Sequence, residues 1–278
     1  MKRIVTIQDI SCHGKCSLTV ALPIISAMGI ETCIIPTAIL STHTGGFSNY
    51  TWRDLTDDIA PIAKHWKSIG LKFDAIYTGY LGSPDQIALV SDFFDDFSDK
   101  GTIKFVDPVM GDNGKLYTGF TPDFASKMAG LCAKADIIVP NLTEASYMLN
   151  KEYIPGGYTE EYIKETLVEL TGLGCKTAVI TGVSYGDGKQ GAALYDSESG
   201  EYCSYFRENI DAKYHGTGDI FSSTLCGALT LGKGPEEALK TAVDYTVECI
   251  KKTIGDENHK YGVKFEECIP YLIRSIGK

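Results

Sequence analysis

The chain has 278 residues, a net charge of -10 at pH 7, 44% hydrophobic residues and 22% charged residues. This composition is typical of a globular protein and excludes disordered and fibrous classes. The negative charge disfavours nucleic acid as a partner, because nucleic-acid binding depends on Lys and Arg that neutralise phosphates. Asp9 interrupts the first apolar stretch, and no later apolar run is long enough for a membrane helix. We therefore expect a cytoplasmic protein without a membrane partner.

Short apolar segments alternate with amphipathic segments along the first two thirds of the chain, and the former are typical of buried parallel strands. The predicted strands are Arg3–Ile10, Glu31–Leu40, Asp74–Tyr80, Ile103–Val109, Asp136–Pro140 and Thr177–Thr181. The predicted helices between them are Leu18–Met28, Asp54–Ile69, Pro84–Phe97, Pro122–Ala133 and Glu160–Leu173. Alternation of this kind predicts an α/β fold with a mostly parallel sheet.

The pattern changes after Thr181. Gly191–Tyr195 and Glu201–Arg207 predict a hairpin. Three helices are then predicted, over Gly218–Leu231, Pro235–Ile254 and Lys264–Ile276. No repeat or linker divides the chain, so we predict one domain over residues 1–278. The nine cysteines lack paired zinc-ligand spacing and are interpreted as reduced thiols.

Gly216, Thr217, Gly218 and Asp219 stand directly before and within a predicted helix. Free N–H groups at a helix N-terminus bind anions. A carboxylate in the first turn is favoured in its ionised form and can take the proton of an attacking hydroxyl during phosphoryl transfer. The alternative is a glycine turn with an aspartate cap. The chain has no P-loop and no dinucleotide fingerprint.

Two acidic stretches follow predicted strands. Asp107 and Asp112 stand at the carboxyl end of one predicted strand, and their oxygens suit Mg²⁺. An ordinary turn is the alternative interpretation. Asn141 and Glu144 follow the next strand. They predict either contacts to metal-bound water and phosphate or a helix capping box, and the residues leave both open.

Polar residues also follow the first, second and third strands. Ser11, His43 and Thr44 could hydrogen-bond a heteroaromatic ring, and Tyr80 could stack on it. A structural role is the alternative for His43 and Tyr80. We expect these residues to contribute to one site, because ligands of open parallel sheets bind beyond the carboxyl ends of the strands.

The ordered set of motifs resembles the pyridoxal kinase branch of the ribokinase superfamily. The residues that carry the resemblance are Gly-Thr-Gly-Asp at 216–219, Asp-Pro-Val-Met-Gly-Asp at 107–112, Asn-Leu-Thr-Glu at 141–144, Thr-Gly-Tyr at 78–80 and His-Thr-Gly at 43–45. The resemblance implies a three-layer α/β/α sandwich and a homodimer. It also implies phosphorylation of the 5′-hydroxymethyl group of a vitamin B6 alcohol by Mg-ATP, often with K⁺ or another monovalent cation.

The resemblance implies a role for each matching residue. Asp219 would be the general base, with an anion hole formed by the amides of Gly216, Thr217 and Gly218. The metal would lie near Asp107 and Glu144. The implied ATP contacts are Asp112, Asn141, Thr181, Gly182 and Gly218. The implied substrate contacts are Ser11, His43, Thr44 and Tyr80.

Two other functions compete with this one. Hydroxymethylpyrimidine kinase shares the fold and the Gly-Thr-Gly-Asp motif; His215, in place of the cysteine of some such enzymes, favours B6. A non-catalytic protein that binds pyridoxal phosphate or a nucleotide is the second alternative. Retention of Asp219 argues against it, since binding alone does not require a base.

Overall fold

The computed structural model describes residues 1–278 as strands and helices that alternate along most of the chain. The strands are β1 (Arg3–Ser11), β2 (Glu31–Leu40), β3 (Trp52–Asp54), β4 (Ala75–Thr78), β5 (Ile103–Val106), β6 (Gly111–Asp112), β7 (Lys115–Leu116), β8 (Ile137–Ile138), β9 (Thr177–Val183), β10 (Lys189–Asp196) and β11 (Glu201–Glu208). The helices are α1 (Leu18–Ala27), α2 (Thr56–Ser68), α3 (Pro84–Phe97), α4 (Pro122–Cys132), α5 (Leu142–Met148), α6 (Glu160–Thr171), α7 (Thr217–Thr230), α8 (Pro235–Thr253) and α9 (Phe265–Ser275), with a short 3-10 turn at Glu257–His259.

Nine strands form one sheet in the order β11-β10-β9-β8-β5-β4-β1-β2-β3. The strands from β9 to β2 in this order run parallel, whereas β3 and the β10–β11 hairpin pair antiparallel at the two edges. The predicted hairpin is therefore confirmed. The carboxyl ends of all the parallel strands meet at one edge of the sheet, where the predicted site residues were expected.

Helices cover both faces of the sheet. One buried cluster joins the sheet to α1, α7, α8 and α9, and a second joins it to α2 through α6. Because both faces of the sheet are buried, successive residues of each parallel strand are apolar, which explains the continuous apolar runs in the sequence. The predicted three-layer α/β/α sandwich is confirmed.

Several element boundaries differ from the predictions. Asp54 lies in the edge strand β3 rather than in a helix, and α2 begins at Thr56. All three residues of β3 are exposed, so its sequence lacks the alternation of apolar and polar residues that would indicate a strand. The strand predicted over residues 136–140 keeps only two residues, and Pro140, which has no N–H, ends the segment. The β6–β7 hairpin was not predicted either.

The pairing of β1 with β2 is irregular near its carboxyl end. Gln8 lies opposite Pro36 and Ile10 lies opposite Ile39, so two residues of β2 face Asp9. Such bulges are frequent next to active sites, where they redirect a side chain. Proline is tolerated here because a bulge interrupts the ladder of hydrogen bonds.

All nine cysteines are free thiols, as expected. No helix in the structure combines the length and the apolar character that crossing a membrane requires.

Phe93 of α3 is buried and stacks on Phe97 with ring centroids 4.2 Å apart. We expect Phe93→Ala to lower the free energy of unfolding by about 3–5 kcal/mol, because the substitution leaves a cavity. Urea denaturation would measure this loss. Val168→Ala, on the exposed side of α6, is the control and should change stability by less than about 0.5 kcal/mol. Equal effects of the two substitutions would contradict the proposed packing.

Candidate active site

A tight glycine turn leads into α7. Gly216 caps the helix with φ at 79°, in the left-handed region that favours glycine. A Cβ atom there would lie 1.6 Å from the carbonyl oxygen of Lys15, so no other residue fits without movement. A Cβ atom at Gly218 would meet nothing within 4 Å, which means that the first turn of α7 faces open space. Its N–H groups have no partners within the helix and are available to an anion.

Asp219 lies in the first turn of α7 and is partly buried. Burial raises its pKa to about 8, and the charges of Asp107 and Asp9 act in the same direction. The nearby backbone N–H of Ser17 opposes this rise. The sequence predicted that the helix terminus would keep Asp219 ionised. In the folded chain, burial beside other carboxylates outweighs the helix terminus.

Asp107 leaves the end of β5 and is buried, with 7% of its surface exposed. The Ser222 hydroxyl of α7 donates a 2.7 Å hydrogen bond to its Oδ2. The backbone N–H of Val109 also donates to this carboxylate, and burial still raises its pKa. Val109 has φ at 29°, a strained conformation for a β-branched residue. The strain accompanies a turn that wraps the backbone around Asp107.

Glu144 and Asn141 form a capping box at the start of α5. The Glu144 carboxylate accepts hydrogen bonds from the backbone N–H groups of Met110 and Asn141, both at 2.9 Å, and from that of Gly111. The Asn141 amide donates to the carbonyl oxygen of Gly111 at 2.8 Å. Burial and the charge of Asp107 raise the pKa of Glu144. Both side chains thus hold the turn after β5, and each Glu144 oxygen is already engaged. Each oxygen keeps a further acceptor site, and the role of Glu144 at a metal stays a prediction.

The remaining predicted nucleotide contacts lie at neighbouring strand ends. Asp112 is exposed in the β6–β7 hairpin and accepts hydrogen bonds from the backbone and side chain of Asn113. The backbone N–H of Thr181 donates to the Pro140 carbonyl oxygen at 3.1 Å, which joins the ends of β8 and β9. Gly182 is exposed, with φ at 72°. These residues share the edge of the sheet with Asp107.

His43 holds the loop after β2. Its Nδ1 accepts a 3.2 Å hydrogen bond from the backbone N–H of Gly45, and its Nε2 lies 2.8 Å from the Tyr261 carbonyl oxygen. These partners fit a neutral ring with its proton on Nε2, and burial lowers the pKa of His43 in the same sense. Neither nitrogen is free, and the predicted hydrogen bond from His43 to a ligand is not supported. Thr44 beside it is exposed.

Tyr80 lies between two aromatic rings. The centroid of its ring is 6.1 Å from that of Trp52 and 5.6 Å from that of Phe120. The Ser11 hydroxyl donates a 3.0 Å hydrogen bond to Oδ2 of Asp9. Ser11 therefore supports another polar side chain at the end of β1 rather than presenting a free hydroxyl.

Sequence reasoning missed three residues of this region. Asp9 carried a signal, since it interrupts an apolar strand, but that interruption was used only against a signal peptide. Ser17 and Ser222 carried none, because small hydroxyl residues before or within a helix are common. Their roles depend on which carboxylate lies beside them in the folded chain.

Comparisons with known proteins identify the family of this chain. The model of the phosphomethylpyrimidine kinase family matches residues 21–264. A Bacteroides thetaiotaomicron protein assigned to the phosphomethylpyrimidine kinases, crystallised with pyridoxal, is 40% identical; the match covers 98% of this chain and 95% of that one, with a TM-score of 0.93. Pyridoxal kinase from Lactobacillus plantarum is 28% identical over 99% and 97% of the two chains, with a TM-score of 0.90. Bos taurus pyridoxal kinase is 26% identical over 89% of this chain and 83% of its own. The chain therefore belongs to the phosphomethylpyrimidine kinase family, in the pyridoxal kinase branch of the ribokinase superfamily.

Proposed function

We propose that this chain transfers the terminal phosphoryl group of ATP to the 5′-hydroxymethyl group of pyridoxal, pyridoxine or pyridoxamine. The observation that carries the proposal is the position of Asp219 in the first turn of a glycine-capped helix, within electrostatic reach of Asp107. The 40% identical relative that was crystallised with pyridoxal supports the same substrate class.

Asp219 acts as the general base in this proposal. It takes the proton of the 5′-hydroxyl as that oxygen attacks phosphorus, while the N–H groups of Gly216, Thr217 and Gly218 face the transferred group. A base is most effective when its pKa lies near the working pH, and the pKa of Asp219 is raised to about 8. The open space beside Gly218 leaves room for a phosphate.

The donor set fits a divalent cation such as Mg²⁺. The charge of Asp107 raises the pKa of Asp219, and no Lys or Arg is among the groups that shift the pKa of either carboxyl. Mg²⁺ takes one or two protein carboxylates and completes its coordination with phosphate and water. Asp107 would hold the ion, and Glu144 would support it through the turn that it fixes. The bound ion would neutralise charge on the transferred phosphoryl group.

A cavity of about 470 Å³ supports a site for the nucleoside. It lies between the β10–β11 edge and α8, and its volume suits a nucleotide base with its ribose. Asn209 and Ile210 in its wall belong to the segment that leads to Gly216, so phosphates would extend from the cavity towards α7. The lining residues are Lys189, Phe206, Arg207, Glu208, Asn209, Ile210, Val247 and Lys251. Asp112, Asn141, Thr181 and Gly182 would contact the phosphates from the facing strand ends.

Hydroxymethylpyrimidine is the second candidate substrate, because the matching family model is that of phosphomethylpyrimidine kinases. Both substrates carry a hydroxymethyl group on a flat heterocycle. The relative with bound pyridoxal favours B6. The homodimer, the monovalent cation and the cytoplasmic location stay predictions of the family resemblance.

We expect Asp219→Asn to lower kcat by about 10²- to 10⁴-fold and to leave the Kd of pyridoxine within a few-fold, because proton removal matters in the transition state. Coupled ADP release and calorimetry would measure the two quantities. Asp123→Asn is the matched control, since Asp123 also stands in the first turn of a helix, where its exposed side chain pairs with Lys127 of the same helix. Retained turnover in Asp219→Asn would remove the proposed mechanism.

Val247→Phe should fill part of the cavity and raise the KM of ATP at least about tenfold, because the larger ring takes up space that the nucleoside would occupy. The KM of pyridoxine should change little. Ile254→Phe, at the exposed end of α8, is the control. An unchanged KM of ATP in Val247→Phe would place the nucleoside elsewhere.

Stability should depend on pH through Asp219. Its folded pKa of about 8 lies above its ordinary value of 3.8, so the folded chain keeps a proton that the unfolded chain releases. Its contribution is therefore complete below about pH 4 and is lost as pH rises through about 8. We expect Asp219→Asn to unfold at a higher temperature than wild type at pH 8, with a smaller gain at pH 5. Scanning calorimetry with EDTA would measure both, and a gain independent of pH would contradict the shift.

A further inference from the structure

Asp9 is a buried carboxylate at the substrate end of the central strand β1, with 5% of its surface exposed. The bulge between β1 and β2 places two residues of β2 opposite it. Nothing in an apolar strand requires a charged residue at this position, and burial of an unpaired carboxylate is costly. Its presence therefore calls for a compensating partner.

The protein supplies hydroxyl groups to Asp9 but no cation. Ser11 donates a 3.0 Å hydrogen bond to Oδ2, and the Ser17 hydroxyl lies near enough to act against the rise in the pKa of Asp9. Burial nevertheless raises the pKa of Asp9. The two Lys or Arg residues nearest in sequence, Arg3 and Lys15, pair with Glu31 and Glu266, and Lys15 also lies over the ring of Phe265. A carboxylate can accept more hydrogen bonds than the two hydroxyls supply, so Asp9 can still bind a donor.

Asp9 faces the groups that surround the proposed substrate. Its charge raises the pKa of Tyr80, Cys16 and Asp219, so it lies within electrostatic reach of all three. Ser17 lies between Asp9 and the proposed base, because it pairs in an isolated β-bridge with Ile10, next to Asp9, and its backbone N–H is near enough to Asp219 to oppose the rise in the pKa of that carboxyl. Ser17 has φ at 53°, a strained conformation that persists only where the surroundings enforce it.

We propose that Asp9 determines substrate specificity by binding a protonated nitrogen of the alcohol substrate. This inference rests on the proposed function and adds that the enzyme selects substrates with a protonated nitrogen. A B6 vitamer offers such a group either as the protonated ring nitrogen or as the 4′-ammonium of pyridoxamine. The ligand would bring the cation that the protein lacks, while Ser17 sets the distance between the recognised nitrogen and the base.

The test is Asp9→Asn, which keeps the shape of the side chain and an oxygen that accepts from Ser11 but removes the charge. We expect the KM and the Kd of the recognised vitamers to rise about 10- to 100-fold, the usual range for a hydrogen bond to a charged group. The KM of ATP should stay within twofold. KM does not depend on the amount of active enzyme, so partial unfolding of the variant does not imitate this result.

The pattern across vitamers identifies the nitrogen. A rise confined to pyridoxamine indicates the 4′-ammonium, and a similar rise for pyridoxal, pyridoxine and pyridoxamine indicates the ring nitrogen. Unchanged KM values for all three vitamers would overturn the inference. Wild-type enzyme that releases no ADP with any vitamer would instead refute the proposed function, so the two failures are distinguishable.

Two further variants complete the design. Asp74→Asn is the matched control, since Asp74 accepts a hydrogen bond from the backbone N–H of Arg3 at the opposite end of the same strand. It should leave the KM of every vitamer unchanged. Ser11→Ala removes one hydrogen bond to Asp9 and should raise the same KM values by a smaller factor, about two- to tenfold. This variant tests the inference even if Asp9→Asn does not fold, and unchanged KM values in it would then overturn the inference.

Discussion

The site depends on carboxylates that crowd at the strand ends beside the start of α7 without a balancing cation from the protein. Asp9, Asp107 and Asp219 lie in three different elements, and burial raises the pKa of each. Placing the three carboxylates close together lowers the stability of the folded chain. Burial of two large apolar clusters on the faces of the sheet compensates for this loss. Cationic ligands, a divalent metal and a protonated substrate nitrogen, offset the cost when they bind.

The segment from Lys15 to Ser17 connects the parts of this site. The Lys15 carbonyl lies against Gly216, which fixes the turn before α7. The backbone N–H of Lys15 donates to the Tyr261 carbonyl oxygen at 3.4 Å, and that oxygen also lies 2.8 Å from Nε2 of His43. Loops after β1 and β2 are thereby joined to the chain before α9. A substitution far along the sequence can therefore alter the geometry around the base.

The turn after β5 illustrates how stability and chemistry share residues. Glu144 was expected at the metal, yet it holds the backbone of Met110 and Gly111. The strained Val109 shows that this backbone would not adopt its conformation alone. The capping box therefore also shapes the candidate active site. The sequence could not decide between a capping box and contacts to metal or phosphate, because both interpretations require Asn and Glu three residues apart.

The sequence by itself determined the layers, the parallel sheet, the hairpin and the stretches that end at the cleft, because periodicity and helix caps are local properties. It also suggested Asp219 as the candidate base, because its glycine neighbours are adjacent in the chain. Only the tertiary structure decided that Ser11 supports Asp9, that both nitrogens of His43 are engaged and that Asp219 has a raised pKa. Each of these depends on burial and on partners distant in sequence, as with Asp107 and Ser222, which are 115 residues apart. Such contacts leave no periodic signal in one chain.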